Sequence, residues 1–287
     1  MKENANGKDI SPCKVYRVSG SEVCETSDLL SVEEPLEIRV SSLVEKQMLT
    51  QQIAVTMRTP GQDSDLALGF LFTEGVLSGS EDVKEIKTIG CNVIDVVLKD
   101  HVQVDPAIFA RHSFVASSCG VCGKRSIDAV KTRRNYKAAN PFPRVDANII
   151  HSLPEKLRSI QMAFSTTGGI HASGLFDLQG ELLSLKEDVG RHNALDKLIG
   201  ACARQNMLPL DQHIVLFSGR ASFELVQKAA HAGATILAAV GAPSSLAVQL
   251  AEESGVTLLG FVRDNRFNIY TGVSAVESDH FCASSKQ

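Results

Sequence analysis

The sequence predicts an α/β protein in two parts, a small N-terminal α+β domain followed by a larger α/β domain, and three observations carry that prediction. Early in the chain, Pro35-Leu-Glu-Ile-Arg-Val and Gln52-Ile-Ala-Val-Thr-Met alternate apolar and polar residues, the period of half-buried strands. In mid-chain, Asn140-Pro-Phe-Pro breaks every pattern and marks a boundary. Beyond it, short and continuously apolar strands alternate with helices of about ten residues, as in a sheet covered on both faces.

The elements follow in order. Residues 1–30 carry no sustained periodicity and are expected to form a mobile arm leading into the first strand. Residues 31–140 make the N-terminal domain. After its first two strands, Pro60-Gly61 turns the chain, and 63–75 read as a capped helix that opens on aspartates and stops at Gly75. Residues 93–98 and 101–104 read as a hairpin turning at Lys99-Asp100. In the second domain, 141–287, helices are expected over 151–160, 190–203, 221–232 and 244–254. Strands are expected over 169–176, 181–185, 213–218, 235–240 and 256–261. There is no internal repeat and no low-complexity tract.

Composition excludes several classes. With 44% hydrophobic and 22% charged residues over 287 positions, the chain is globular rather than disordered. No apolar run approaches the roughly 20 residues that cross a bilayer. The polar start, Met1 to Lys8, is not followed by a signal-type apolar stretch, so a cytoplasmic protein with no membrane contact is expected. A formal charge of −4 gives no reason to expect nucleic acid as a partner. Seven cysteines cannot all pair, which fits a reducing compartment.

The most informative run is Ser117-Ser-Cys-Gly-Val-Cys-Gly-Lys124. Two thiols three residues apart can do sulfur chemistry that neither does alone, and a thiolate is favoured by the nearby Lys124 and Arg125 and by a helix N-terminus. Gly120 and Gly123 let a bulky partner approach. A structural zinc site would need a second ligand pair, yet Cys13, Cys24, Cys91, Cys202 and Cys282 are isolated. A thioredoxin-type redox pair normally follows a strand early in a βαβ unit, unlike this mid-chain loop. From Lys124 to Arg144 the chain is strongly basic, which suits either a solvated helix face or an anionic, phosphorylated ligand.

Three further clusters sit where strands end, the place where open α/β sheets bind ligands. Glu187-Asp-Val-Gly-Arg-His-Asn193 opens a helix with carboxylates and bases, either as a capped helix start or as a site. Phe217-Ser-Gly-Arg220 could hold a phosphate, or Ser218 could serve only as a cap. Phe261-Val-Arg-Asp-Asn-Arg266 offers arginines that could clamp phosphates.

Together, Ser-Cys-Gly-Val-Cys-Gly at 118–123, Thr-Thr-Gly-Gly-Ile-His-Ala-Ser-Gly at 166–174, Glu-Asp-Val-Gly-Arg-His-Asn-Ala-Leu-Asp-Lys at 187–197, Ser-Gly-Arg-Ala-Ser at 218–222 and Gly-Phe-Val-Arg-Asp-Asn-Arg-Phe-Asn-Ile-Tyr at 260–270 resemble the FdhD family of sulfur carriers required for formate dehydrogenase activity. The resemblance implies that a cysteine desulfurase passes sulfane sulfur to Cys119 as a persulfide, with Cys122 assisting. The sulfur then goes to the molybdenum cofactor, bis(molybdopterin guanine dinucleotide), before insertion into formate dehydrogenase. It also implies that Phe261, Val262, Arg263, Asp264, Asn265 and Arg266 bind that cofactor, that the protein is a homodimer, and that the C-terminal domain is a cytidine-deaminase-like, three-layer α/β fold. No zinc is expected. Zinc deaminases need H-x-E and P-C-x-x-C, whereas this chain has His171-Ala-Ser173 and Pro243-Ser-Ser-Leu-Ala247 at comparable places. His171 is therefore read as a hydrogen-bonded pocket residue. The alternative from another class is a non-catalytic cofactor-binding chaperone whose CxxC is structural or redox-active.

Overall fold

The structure, a computed structural model, describes residues 10–102, 136 and 142–278. They form a mixed α/β fold that divides into two compact units. Among the described residues, the first takes 10–102, 159–173 and 186–207, and the second takes 136, 142–158, 174–185 and 208–278. The sequence reading cuts the chain once, at 140/141, whereas the compact units interleave along it. The reason is long-range helix packing, which composition does not reveal.

In the first unit, β1 (Ile10–Ser19) and β2 (Glu22–Ser31) pair antiparallel around Gly20 at φ 62°. A hairpin thus stands where a mobile arm was expected. Most residues in its strands are exposed and none is buried, so no buried face imposes the alternation by which a strand is read. A four-stranded sheet follows in the order β4-β3-β6-β5. Strands β3 (Glu34–Val44) and β4 (Gln47–Arg58) form the expected hairpin, and β6 (Val93–Leu98) runs parallel to β3. The partner that completes β6 is β5 (Val83–Thr88), antiparallel to it and upstream, not 101–104. His101 and Val102 only continue the turn, and 103–104 lie outside the described residues. The mostly exposed Val-Lys-Glu-Ile-Lys-Thr sequence of β5 gives it little strand signature.

Helix α1 (Asp63–Thr73) packs on α4 (Arg191–Arg204). Gly69 and Gly200 face each other's helix backbone, where a Cβ on either would fall on the carbonyl oxygen of Asp196 or Asp65. Two glycines therefore set the helix separation. The expected Asp63 cap is absent. Gln62 is the N-cap residue, in the left-handed region and without a side-chain cap, while Asp63 receives Arg58 Nε at 2.9 Å. Gly75, at φ 74°, ends the helix as expected. The short α3 (Met162–Thr167) completes this unit.

In the second unit, α2 (Ala147–Ile160, of which 159–160 fall in the first) accompanies a six-stranded sheet in the order β13-β12-β11-β10-β8-β9, of which residues 171–173 of β8 and 186–188 of β9 belong to the first unit. Its strands are β8 (His171–Phe176), β9 (Leu182–Asp188), β10 (Ile214–Phe217), β11 (Ile236–Ala239), β12 (Thr257–Arg263) and β13 (Arg266–Thr271). Strands β10, β11 and β12 are parallel, joined through α5 (Phe223–His231) and α6 (Ser245–Glu253), and β13 returns antiparallel. All eight residues of β10 and β11 are buried, which is why these strands read as unbroken apolar runs. No helix among the described residues is long and apolar enough to cross a membrane.

Candidate functional site

Cys119 and Cys122, with the basic residues from Lys124 to Arg134, lie outside the described residues. At the end of that run, Arg144 is exposed and lies 3.8 Å from the equally exposed Glu277. Of the isolated cysteines, Cys202 is buried, and burial pushes its thiol up to about 12, which keeps it inert. Among the described residues no group of three or more His, Cys, Asp or Glu side chains could hold a metal ion.

The strand ends of the second unit form one stitched edge. Gly241 N donates to Gly219 O at 2.9 Å, Ser244 N to Ala221 O at 3.0 Å and Phe261 N to Gly241 O at 3.1 Å. Backbone thus meets backbone across three loops. A Cβ on Gly260 would lie 2.8 Å from Pro243 Cδ and Tyr270 Cε2, so that position has no room for a side chain. The helix caps here are Ser222, which accepts from Leu225 N at 3.4 Å, and Ser244, which accepts from Ala247 N at 3.3 Å. Ser218 caps neither helix.

Residues 261–266 divide by the job each does. Val262 is fully buried and its side chain belongs to the core. Asp264 and Asn265 have φ of 53° and 54° between the paired Arg263 and Arg266, which makes them a two-residue hairpin turn with both central residues left-handed. Phe261 is different. It also sits at φ 53°, within an irregularity of the β12–β13 pairing, where a bulky residue is strained. Its ring lies 5.6 Å from the Arg263 guanidinium carbon. Phe261, Arg263 and Arg266 therefore offer side chains at the surface, while Val262 can offer only backbone.

In the first unit the 187–197 motif is largely internal. Lys197 Nζ donates to Asp188 Oδ2 at 2.7 Å, Thr59 O at 2.9 Å and Glu187 O at 3.4 Å, which uses all three of its protons. Asp188 also accepts from Thr59 N, Gly190 N and Asn193 Nδ2, so its four lone-pair positions are filled. Asp196 receives Thr73 Oγ1 at 2.8 Å. Glu187 accepts from Ala163 N and Phe164 N at the start of α3. No side chain caps α4, whose first residues are Arg191 and His192. His171 opens β8 beside β9, which ends at Asp188. Burial first, then the charges of Arg191 and His192, hold the His171 imidazole below its ordinary pKa.

Comparison with known proteins gives a consistent answer. Residues 31–277 match the FdhD/NarQ family. The chain is 45% identical over 275 residues to the sulfur carrier protein FdhD of Streptomyces coelicolor, covering 92% of this chain and 94% of that one. It is 43% identical over 257 residues to the protein of the same name from Saccharolobus solfataricus, covering 90% and 94%. A crystal structure named as that of a formate dehydrogenase accessory protein from Desulfotalea psychrophila shares the fold, with TM-score 0.74 and 23% identity over 94% of this chain and 100% of that one. With its motifs falling inside the matched span, the chain belongs to the FdhD/NarQ family.

Proposed function

We propose that this protein is a sulfur carrier that serves formate dehydrogenase. The observation that carries the reading is the Cys119-Gly-Val-Cys122 run in a chain 45% identical to a protein named as a sulfur carrier. The Cys119 thiolate attacks the terminal sulfur of a persulfide on a cysteine desulfurase. The desulfurase S–S bond breaks, its cysteine leaves as a thiolate, and Cys119 becomes the persulfide with no net redox change. Attack by Cys122 on Cys119 Sγ then releases hydrosulfide and leaves a Cys119–Cys122 disulfide, which a thiol reductant reopens. The sulfur acceptor is bis(molybdopterin guanine dinucleotide), bound as substrate at 261–266, and the working form is a cytoplasmic homodimer without zinc. The cytidine-deaminase-like architecture belongs to the same reading, without deaminase chemistry. Support for an anionic ligand comes from the exposed Arg263, which lies over the Phe261 ring, and from the exposed Arg266 paired with it across the hairpin.

The test is intact-protein mass spectrometry after incubation with an active cysteine desulfurase and cysteine. The expected result is a reducible gain of one sulfur atom, mapped to Cys119 and absent from Cys119→Ala. No added sulfur on either cysteine, or full formate dehydrogenase activity supported by Cys119→Ala, overturns the transfer reading in favour of a cofactor-binding chaperone.

A further inference from the structure

The sulfur-carrier reading gives hairpin β1–β2 no work, and all but its last residue lies ahead of the span that matches the family. The hairpin is tied to α3 at its base, where Ser31 Oγ and Thr167 Oγ1 lie 2.7 Å apart. A two-stranded ribbon is marginal in water unless a face of it is packed. The register runs unbroken from Ile10 opposite Ser31 to Ser19 opposite Glu22, so alternation assigns every side chain to one of two faces. One face half-buries Cys13, Val15 and Thr26. On the other, every residue beyond the end pair Ile10–Ser31 is exposed.

That exposed face is apolar toward its tip. Tyr16, Val18 and Val23, at 68%, 65% and 62%, are the most exposed large hydrophobic side chains among the described residues. Val18 pairs with Val23 beside the turn, and Tyr16 pairs with Glu25. Apolar side chains gathered in this way mark a contact surface. Charge says what covers it. Strand β1 carries Lys14 and Arg17 and no acid, while β2 carries Glu22, Glu25 and Asp28 and no base. Within one copy Lys14 Nζ already reaches Glu25 at 2.8 Å, with both side chains well exposed. The ribbon is thus complementary to itself when β1 of one copy meets β2 of another. Side-by-side pairing of identical edges would oppose like charges. Side-by-side pairing of β1 with β2 of another copy is head-to-tail, which gives rings or filaments rather than a dimer. Stacking face to face about a two-fold axis along the strands sets β1 over β2 in both directions and closes on two copies.

We propose that the exposed face of hairpin β1–β2 is a clasp for the same face of a second copy, with Val18 over the partner's Val23 and Tyr16 over the partner's Glu25. The clasp rests on the homodimer reading and adds to it a surface that joins the copies. Two paired strands of ten residues each present roughly 300 Å2 of face, from their rise and spacing. A stable interface takes about 800 Å2 from each partner, so the clasp tightens a dimer that also meets elsewhere.

The test is sedimentation equilibrium of the full chain over a dilution series. Val18→Lys and Val23→Glu should each raise the dimer dissociation constant about tenfold or more, because each sets a charge against a valine of the other copy. An equimolar mixture of the two variants should recover tight association, since the introduced lysine of one copy then stands over the introduced glutamate of the other. That recovery separates a clasp from a hairpin that has merely unravelled. Leu30→Lys, on the opposite face, should leave the constant unchanged. Wild-type protein that stays monomeric throughout overturns the homodimer reading and the clasp together. A wild-type dimer that Val18→Lys and Val23→Glu leave intact, or a mixture without recovery, overturns the clasp alone. Loss of cysteine desulfurase binding in Val18→Lys, with the dimer constant unchanged, gives the face to that enzyme and overturns the clasp as well.

Discussion

The motifs at 187–197 and 260–270 draw on the same letters, acids, bases and a glycine, yet spend them in opposite ways. In the first, Asp188, Asn193, Asp196 and Lys197 are buried and bonded inside the protein. In the second, Arg263, Asp264, Asn265 and Arg266 are exposed, and what is unusual is the backbone, left-handed at Phe261, Asp264 and Asn265. A motif shared with a family is therefore not uniformly a binding site. Part of each run is consumed by folding, as an ion pair below a helix start or as a hairpin turn. What remains after that subtraction is arginine, Arg191 in one motif and Arg263 and Arg266 in the other.

The strongest way to break the comparison is to remove one partner of the buried pair. Lys197→Met strands a fully buried Asp188 carboxylate and should cost about 3–5 kcal/mol in urea denaturation. Adding Asp188→Asn should recover part of that loss, since the uncompensated charge disappears. A loss under about 1 kcal/mol would mean the pair does not hold this end of α4. Next in size is Gly200→Ala, which pushes a methyl onto the Asp65 carbonyl oxygen and forces α1 and α4 apart. Overpacking of this kind costs about 1–3 kcal/mol or more, and the reciprocal Gly69→Ala should match it. Wild-type stability in either variant would show that the crossing is loose.

These two sites also mark where the sequence was legible. Apolar runs such as Ile214–Phe217 and Ile236–Ala239 announced the parallel strands because both faces are buried, and α1, with its Gly75 stop, and α4 were placed within a few residues. Hairpin β1–β2 and strand β5 were missed because they bury little, so neither face constrains composition. The pairing of Asp188 with Lys197 and the Gly69–Gly200 crossing are tertiary facts. The letters Glu187 to Lys197 could equally have been a solvated helix start. Among the proposed cofactor residues, Asp264-Asn265 read as ligand contacts, although both occupy positions that a two-residue turn demands. The thiols of the CxxC run rest on sequence and resemblance, since they lie outside the described residues.

That turn provides a smaller and oppositely signed test. Asn265 occupies the second left-handed position of the turn, where glycine is the preferred residue. Asn265→Gly should therefore leave stability unchanged or raise it, by about 0.5 kcal/mol at most, because relief of the left-handed strain is partly offset by the greater freedom of glycine in the unfolded chain. Phosphate-ligand affinity in this variant sharpens the comparison. Retained affinity assigns binding to Arg263 and Arg266, and lost affinity with intact stability returns Asn265 to the binding set.

The smallest effect concerns pH and rests on two half-buried histidines. His171 and His213 both have pKa values lowered chiefly by burial, against an ordinary value of 6.5. Folding therefore favours the neutral rings, and the unfolded chain binds more protons than the native one once the pH drops toward 6.5. Their contribution to stability is complete above that value and declines as pH falls through it toward the lower folded pKa. Both rings are only half-buried, so solvent screens the effect and a shallow slope is expected in urea midpoints taken between neutral and mildly acidic pH. Replacing both histidines with Gln should flatten that part of the profile.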